Sequence, residues 1–159
     1  MTVEINQEQL NSILGRLNNL PKKIVNRDIV NYLATVLKES IRLRTLSGRD
    51  VNENSFKSYS PEYAKKEGKR IVNLTQSGQM LSSMTQKTLS NDSAMIFFAS
   101  AKYQNGLSTN DLAKIHNQTG AGRNRVVREF FGLNENLDLP KIMKAYQEEI
   151  TRVKAELKL

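Results

Sequence analysis

His116 is the only histidine in 159 residues, and it stands just ahead of Gly120-Ala121-Gly122 and of three arginines, Arg123, Arg125 and Arg128, that lead into Phe130-Phe131. An imidazole with an ordinary pKa of about 6.5 suits a general base. That role needs a nucleophile and an orienting carboxylate, and although Ser108 and Asp111 lie nearby, no GxSxG turn presents the serine. A histidine at a helix end is more often a packing or capping residue. The Gly-Ala-Gly run superficially looks like a phosphate-binding turn. A P-loop would continue with lysine and a hydroxyl, whereas Arg123-Asn124 follows; a dinucleotide turn would add a third glycine opening a long helix, whereas Arg125-Val126-Val127-Arg128 follows. The acidic pairs Glu148-Glu149 and Glu53/Glu62 fall in helical or loop contexts of solvated charge, which gives glycoside hydrolysis no support. Without cysteine there is no disulfide framework and no thiolate metal site, and one histidine excludes a His-rich zinc centre. The reading is of no catalytic residue, no cofactor and no metal. The arginines are the better candidates, to grip phosphates or to form a basic loop that orders against an acidic neighbour. Phe130, Phe131 and Leu133 read as core or interface anchors, because no RNA-recognition pattern of alternating aromatic and basic residues accompanies them.

The elements that must position this segment are legible in outline. Asn6 and Gln9 form a capping pair for a first helix with its stripe on Leu10, Ile13, Leu14 and Leu17, ending near Leu20. Pro21 suits the first turn of a second helix, whose stripe of Ile29, Tyr32, Leu33, Val36, Leu37, Ser40 and Ile41 is the strongest periodicity in the chain and stops by Gly48. Ser60-Pro61-Glu62 starts a short helix carrying Tyr63 and closed by Gly68. A capped turn at Thr75 or Ser77 then presents Met80 and Leu81. Met84–Leu89 and Ala94–Ala99 are strand-like runs joined by the turn Ser90-Asn91-Asp92-Ser93. The second run is nearly all apolar, so it is expected inside the sheet under the long helix. Thr109 is expected to cap a short helix through His116, a third strand to carry Arg125–Glu129, and Asp138 to cap a last helix with its stripe on Ile142, Met143, Tyr146, Ile150, Val153 and Leu157. The fold class is therefore α+β: a small antiparallel sheet, hairpin plus a further strand, packed against long N- and C-terminal helices.

The length suits a single domain, 1–159, with an N-terminal helical region over 1–47 and an α+β region over 56–159. Hydrophobic residues at 38% and aromatics at 6% imply a modest core. The start, Met1 to Asn6, lacks the basic flank and apolar run of a signal peptide, and no stretch approaches the roughly 20 apolar residues that span a bilayer. Synthesis in the cytoplasm without membrane contact is the expectation. A net charge of +8 favours an anionic partner, whether nucleic acid, an acidic membrane face or an acidic protein ring.

Four segments share an order with a known family: Phe56-Lys57-Ser58-Tyr59-Ser60-Pro61-Glu62-Tyr63-Ala64-Lys65-Lys66, then Val72-Asn73-Leu74-Thr75-Gln76-Ser77-Gly78-Gln79-Met80-Leu81, then Ala113-Lys114-Ile115-His116-Asn117, then Arg128-Glu129-Phe130-Phe131-Gly132-Leu133. This order resembles the tail completion, neck and virion morphogenesis proteins of tailed bacteriophages, over about Phe56 to the C-terminus. There "W/F-x-x-Y/L-S-x-x-Y-x-x-K" precedes "L-x-x-T/S-G-x-M/L-L-x-S", a hairpin, "A-x-x-H-x-x-G" and "R-E/P-F-L/F-G-L". Here one residue more separates His116 from Gly120, and Val126-Val127 stand where a proline commonly precedes the arginine. The resemblance implies a structural, non-enzymatic protein of the virion, made in the host bacterial cytoplasm, acting in head-tail joining. It implies a homo-oligomeric ring between the capsid connector or adaptor and the tail tube or tail terminator, with non-specific contact to genomic DNA left open. His116 and Gly120 would shape the loop, Asn117 to Arg125, with Arg123 and Arg125 on it, would be an extended docking arm or channel-side loop anchored by His116, and Arg128, Phe130 and Phe131 would fix the last strand against the helices. A small basic nucleic-acid-binding protein, using the arginine loop and the Arg42/Arg44/Arg49 cluster, is the alternative.

Overall fold

A computed structural model describes the backbone of Val3–Glu4 and residues 26–68 and 71–156. The first expected helix, from Asn6 to Leu20, and Pro21 lie outside the described residues. The chain is α+β. Its elements in order are β1 (Val3–Glu4), α1 (Arg27–Leu46), α2 (Pro61–Glu67), α3 (Gln79–Ser82), β2 (Met84–Thr88), β3 (Ala94–Phe98), α4 (Thr109–Lys114) continued by a π-helical turn (Ile115–Thr119), and α5 (Glu135–Glu156). Two compact units share them. One is Ile41–Met84 with Phe98–Leu133; the other comprises the described residues of Thr2–Ser40, Thr85–Phe97 and Asn134–Leu159.

In the second unit Asn26 starts α1, its Oδ1 accepting from the amides of Asp28 and Ile29 at 3.0 Å each. The helix carries two apolar faces. Ile29 and Leu33 pack with Tyr146 and Ile150 of α5, while Val30 and Ala34 pack with Ala94 of β3. Tyr32, expected in the stripe, is 40% exposed. Thr35 binds the hairpin through Gln86 Nε2 at 2.8 Å. β3 is the central strand of the order β1-β3-β2, with Val3 opposite Ile96 and Glu4 opposite Met95 in antiparallel register. A central strand has both ladder edges occupied, which suits its apolar composition.

The sheet's further strand is thus Val3–Glu4 and not Arg125–Glu129. The backbone of the latter segment is partnered one group at a time by different neighbours. Val126 exchanges bonds with Ala121, the Arg128 amide donates to His116 O at 2.7 Å, and Glu129 O accepts from Val51 N at 2.7 Å. No ladder forms when successive groups face separate segments.

Two expected caps shift by the same logic. α5 starts at Glu135, with Asn134 Oδ1 accepting from Asn136 and Leu137 at 3.0 and 3.2 Å. Asp138, expected as the cap, instead lies inside the helix, fully buried, accepting from Asn134 N at 2.8 Å and from Ser40 Oγ at 2.6 Å. Ser108, not Thr109, caps α4, accepting from Asp111 N at 3.0 Å. Thr109 is fully buried, and its hydroxyl is spent on Ala99 O at 2.5 Å and Ala101 N at 3.1 Å.

In the first unit α1 ends as expected before Gly48. The Gly48 amide donates to Thr45 O and the Arg49 amide to Arg44 O, closing a Schellman turn in which Gly48 takes φ +77°. α2 follows the expected cap: Ser60 Oγ accepts from Tyr63 N at 3.2 Å, and Gly68 ends the helix at φ +63°.

Candidate functional site

Every residue singled out by type, His116 through Phe131, lies in the first unit, and that unit alone builds the site. Its floor is aromatic. Phe98 meets Phe131 at 5.0 Å and Phe130 at 5.9 Å between ring centroids, and Phe130 is fully buried. Tilted and edge-on ring pairs of this kind add about 0.5–1.5 kcal/mol each to the burial of their area. Phe130 and Phe131 are core residues, with no face free to stack on a base.

Arg128 ties this floor to the front of the unit. It is 5% exposed, and its Nε and Nη2 both donate to Lys57 O, at 3.2 and 3.0 Å. Its guanidinium carbon stands 5.1 Å from the centre of the Tyr59 ring, a cation–π contact. Tyr59 in turn packs on Tyr63 at 4.9 Å. Burial pulls the Arg128 pKa below its ordinary value and raises that of Tyr59, and the guanidinium partly offsets the latter rise.

Behind Arg128, His116 is held without charge. Burial, and then the adjacent guanidinium, lower its pKa to about 4, and its Nδ1 is enclosed without a hydrogen-bond partner. Its carbonyl accepts from the Arg128 amide. The π turn that contains it closes with Gly120 N donating to Ile115 O at 2.7 Å. Asn117, inside that turn, clamps Phe131 like a strand partner: its Oδ1 accepts from Phe131 N at 2.8 Å and its Nδ2 donates to Phe131 O at 3.2 Å. Arg44 adds a bond from Nη2 to Gly132 O at 2.8 Å.

The Gly120–Arg125 loop is a closed hairpin and not an extended arm. Ala121 and Val126 bond each other at 2.9 and 3.0 Å, and Arg125 N donates to Gly122 O at 3.1 Å across Arg123-Asn124. Gly120 sits at φ +85°, where an added Cβ would fall 2.1 Å from Arg125 O. Arg125 itself takes φ +44°. Arg123 and Arg125 are exposed near the hairpin tip.

In front of Arg128 and His116 opens a groove of about 1040 Å³, lined in part by Lys57, Tyr63, Lys102, Tyr103 and Arg123. Among the described residues no hydroxyl bonds His116 Nδ1, which is enclosed and partnerless. The arrangement can bind and pack. Among the described residues no helix is long and apolar enough to cross a membrane. Compared with protein-family models, curated proteins and solved structures, the chain has no match.

Asn117, expected at the start of an extended arm, is instead buried in the π turn on Phe131, and nothing in the sequence marks Lys102 and Tyr103. Asn117 carries one local signal, a side-chain amide in a helix end one residue past the histidine; Lys102 and Tyr103 reach the groove only through the fold.

Proposed function

We propose that this chain is a structural protein of a tailed-bacteriophage virion, acting without enzymatic chemistry at the neck, where it completes the tail or joins it to the capsid connector as a member of a ring. One observation carries the reading. The four sequence segments that resemble the neck and tail completion family come together around one groove within one unit. Arg128 of the last segment holds Lys57 and Tyr59 of the first, the Arg128 amide binds His116 of the third, and Leu74, Gln76, Gln79 and Met80 of the second line the same groove as these residues. Residues dispersed over Phe56–Leu133 and joined in this way act as a structural signature of one module. The extra residue between His116 and Gly120 also has a physical place. A π turn is how a helix absorbs a single additional residue, and one spans Ile115–Thr119.

Supporting the assembly reading further, the groove combines four cations, Lys57, Lys102, Arg123 and Arg128, with apolar and neutral polar side chains, as a docking surface requires. Electron microscopy of lysates from the parent phage with this reading frame interrupted tests it. Filled heads beside separate or malformed tails are expected. Normal joined virions would remove the reading and bring forward nucleic-acid binding.

A further inference from the structure

The groove in front of Arg128 is selective in charge. Among the described residues that line it are Lys57, Lys102, Arg123 and Arg128, and not one Asp or Glu, in a chain that has 16 acidic residues. Glu67 lies outside the lining, and its carboxylate accepts from Gln76 Nε2 at 3.4 Å. Lys57, Lys102 and Arg123 are exposed, so their ammonium and guanidinium groups are available to a partner. The rest of the lining mixes hydroxyl and amide groups, Tyr63, Tyr103, Gln79 and Asn124 among them, with apolar side chains that include Leu74, Met80, Leu112 and Val126.

We infer that this groove is the docking site for an acidic, extended polypeptide segment of a partner subunit. The inference rests on the assembly reading and names the chemistry of the contact. A polyanion is selected by the unopposed cations. Between the two polyanions at hand, a peptide is favoured over a single nucleic-acid strand by the state of the aromatic rings. Strand binding without sequence preference relies on free ring faces that stack on bases. Tyr59 has the Arg128 guanidinium over its face at 5.1 Å and Tyr63 against it at 4.9 Å, so these two rings are already engaged with each other; that leaves Tyr103 as a single lining ring, where stacking of successive bases needs several. Amide and hydroxyl side chains along the groove instead match the carbonyls and amides of an extended main chain. At about 1040 Å³ the space exceeds what a single anion fills and stands at the upper end of the range for small-ligand sites.

The test uses the purified full chain and a fluorescein-labelled Glu/Asp-rich decapeptide, read by anisotropy, with an oligo-dT of equal charge as the rival probe. Lys57→Glu, Lys102→Glu and Arg123→Glu are each expected to weaken peptide binding about tenfold, while Lys144→Glu, an exposed reversal on α5, changes it by less than about twofold. Where a reversal lowers the melting temperature, the corresponding Gln variant carries the same comparison. Equal loss with Lys144→Glu would mean attraction to net charge alone and overturn the site. So would absence of peptide binding at low salt, or oligo-dT binding more tightly with the same dependence on the three groove residues. The frame-interruption experiment separates the two readings. Unjoined heads and tails without peptide binding remove the groove assignment alone; groove-dependent peptide binding with normal virions removes the neck role alone.

Discussion

His116 contributes through being kept neutral. Its pKa is near 6.5 in the unfolded chain and about 4 in the fold, so between those values the unfolded state binds the extra proton. Stability is therefore expected to fall as pH drops from about 6.5 to about 4, by at most roughly 3 kcal/mol, and to be fully present above that window. Denaturant titrations across this range should show the wild type losing that increment relative to His116→Gln, which has no group to titrate. Parallel pH profiles for the two proteins would show that the imidazole is not held as described. Phe130 works by volume. Its ring is fully buried against Phe98 and Phe131, so Phe130→Ala should cost about 3–5 kcal/mol in the same titrations. A cost under about 1 kcal/mol would place the ring at an unfilled surface.

At the scale of elements, the hairpin after α4 depends on Gly120 more than on its neighbour Gly122. Both take positive φ, but a Cβ on Gly120 would meet the Arg125 carbonyl, whereas one on Gly122 meets nothing within 4 Å. Gly120→Ala should therefore open the Ala121–Val126 pairing, and Gly122→Ala should only strain it by about 1 kcal/mol. Limited trypsin digestion reads the difference directly at Arg123 and Arg125. Faster cleavage is expected in Gly120→Ala alone; equal rates in both variants would mean that the close approach does not hold the turn. Sequence reading was strongest where an element is decided by its own residues. The Ser60-Pro61 start and Gly68 end of α2, the end of α1 before Gly48 and the β2–β3 hairpin are all local chemistry. It was weakest where a polar side chain had a choice of partners. Asp138 and Thr109 are good helix caps in isolation, but in the fold each is buried on a distant or neighbouring polar group, and Asn134 and Ser108 take the capping role.

For the whole molecule, charge separates stability from association. Arg123 and Arg125 are exposed near the tip of the hairpin, so Arg123→Ala with Arg125→Ala should leave the melting temperature within about 2 °C while lowering the yield of joined particles in a complementation assay by about tenfold. Unchanged yield would exclude the hairpin from assembly. Composition, periodicity and turn residues by themselves determined the α+β class, the long helices α1 and α5, the hairpin, the reading of Phe130-Phe131 as core or interface anchors and a net basic charge, because each follows from local propensity or from a count. Only the tertiary structure decided that β3 is flanked by Val3–Glu4, that Arg128 is spent on Lys57 and Tyr59, that His116 is neutral, and that Lys57, Lys102 and Arg123 line one groove. Those outcomes depend on which buried donor meets which acceptor across tens of residues. Chain order does not encode that pairing locally; it is set when burial leaves each polar group only the partner the packed fold supplies.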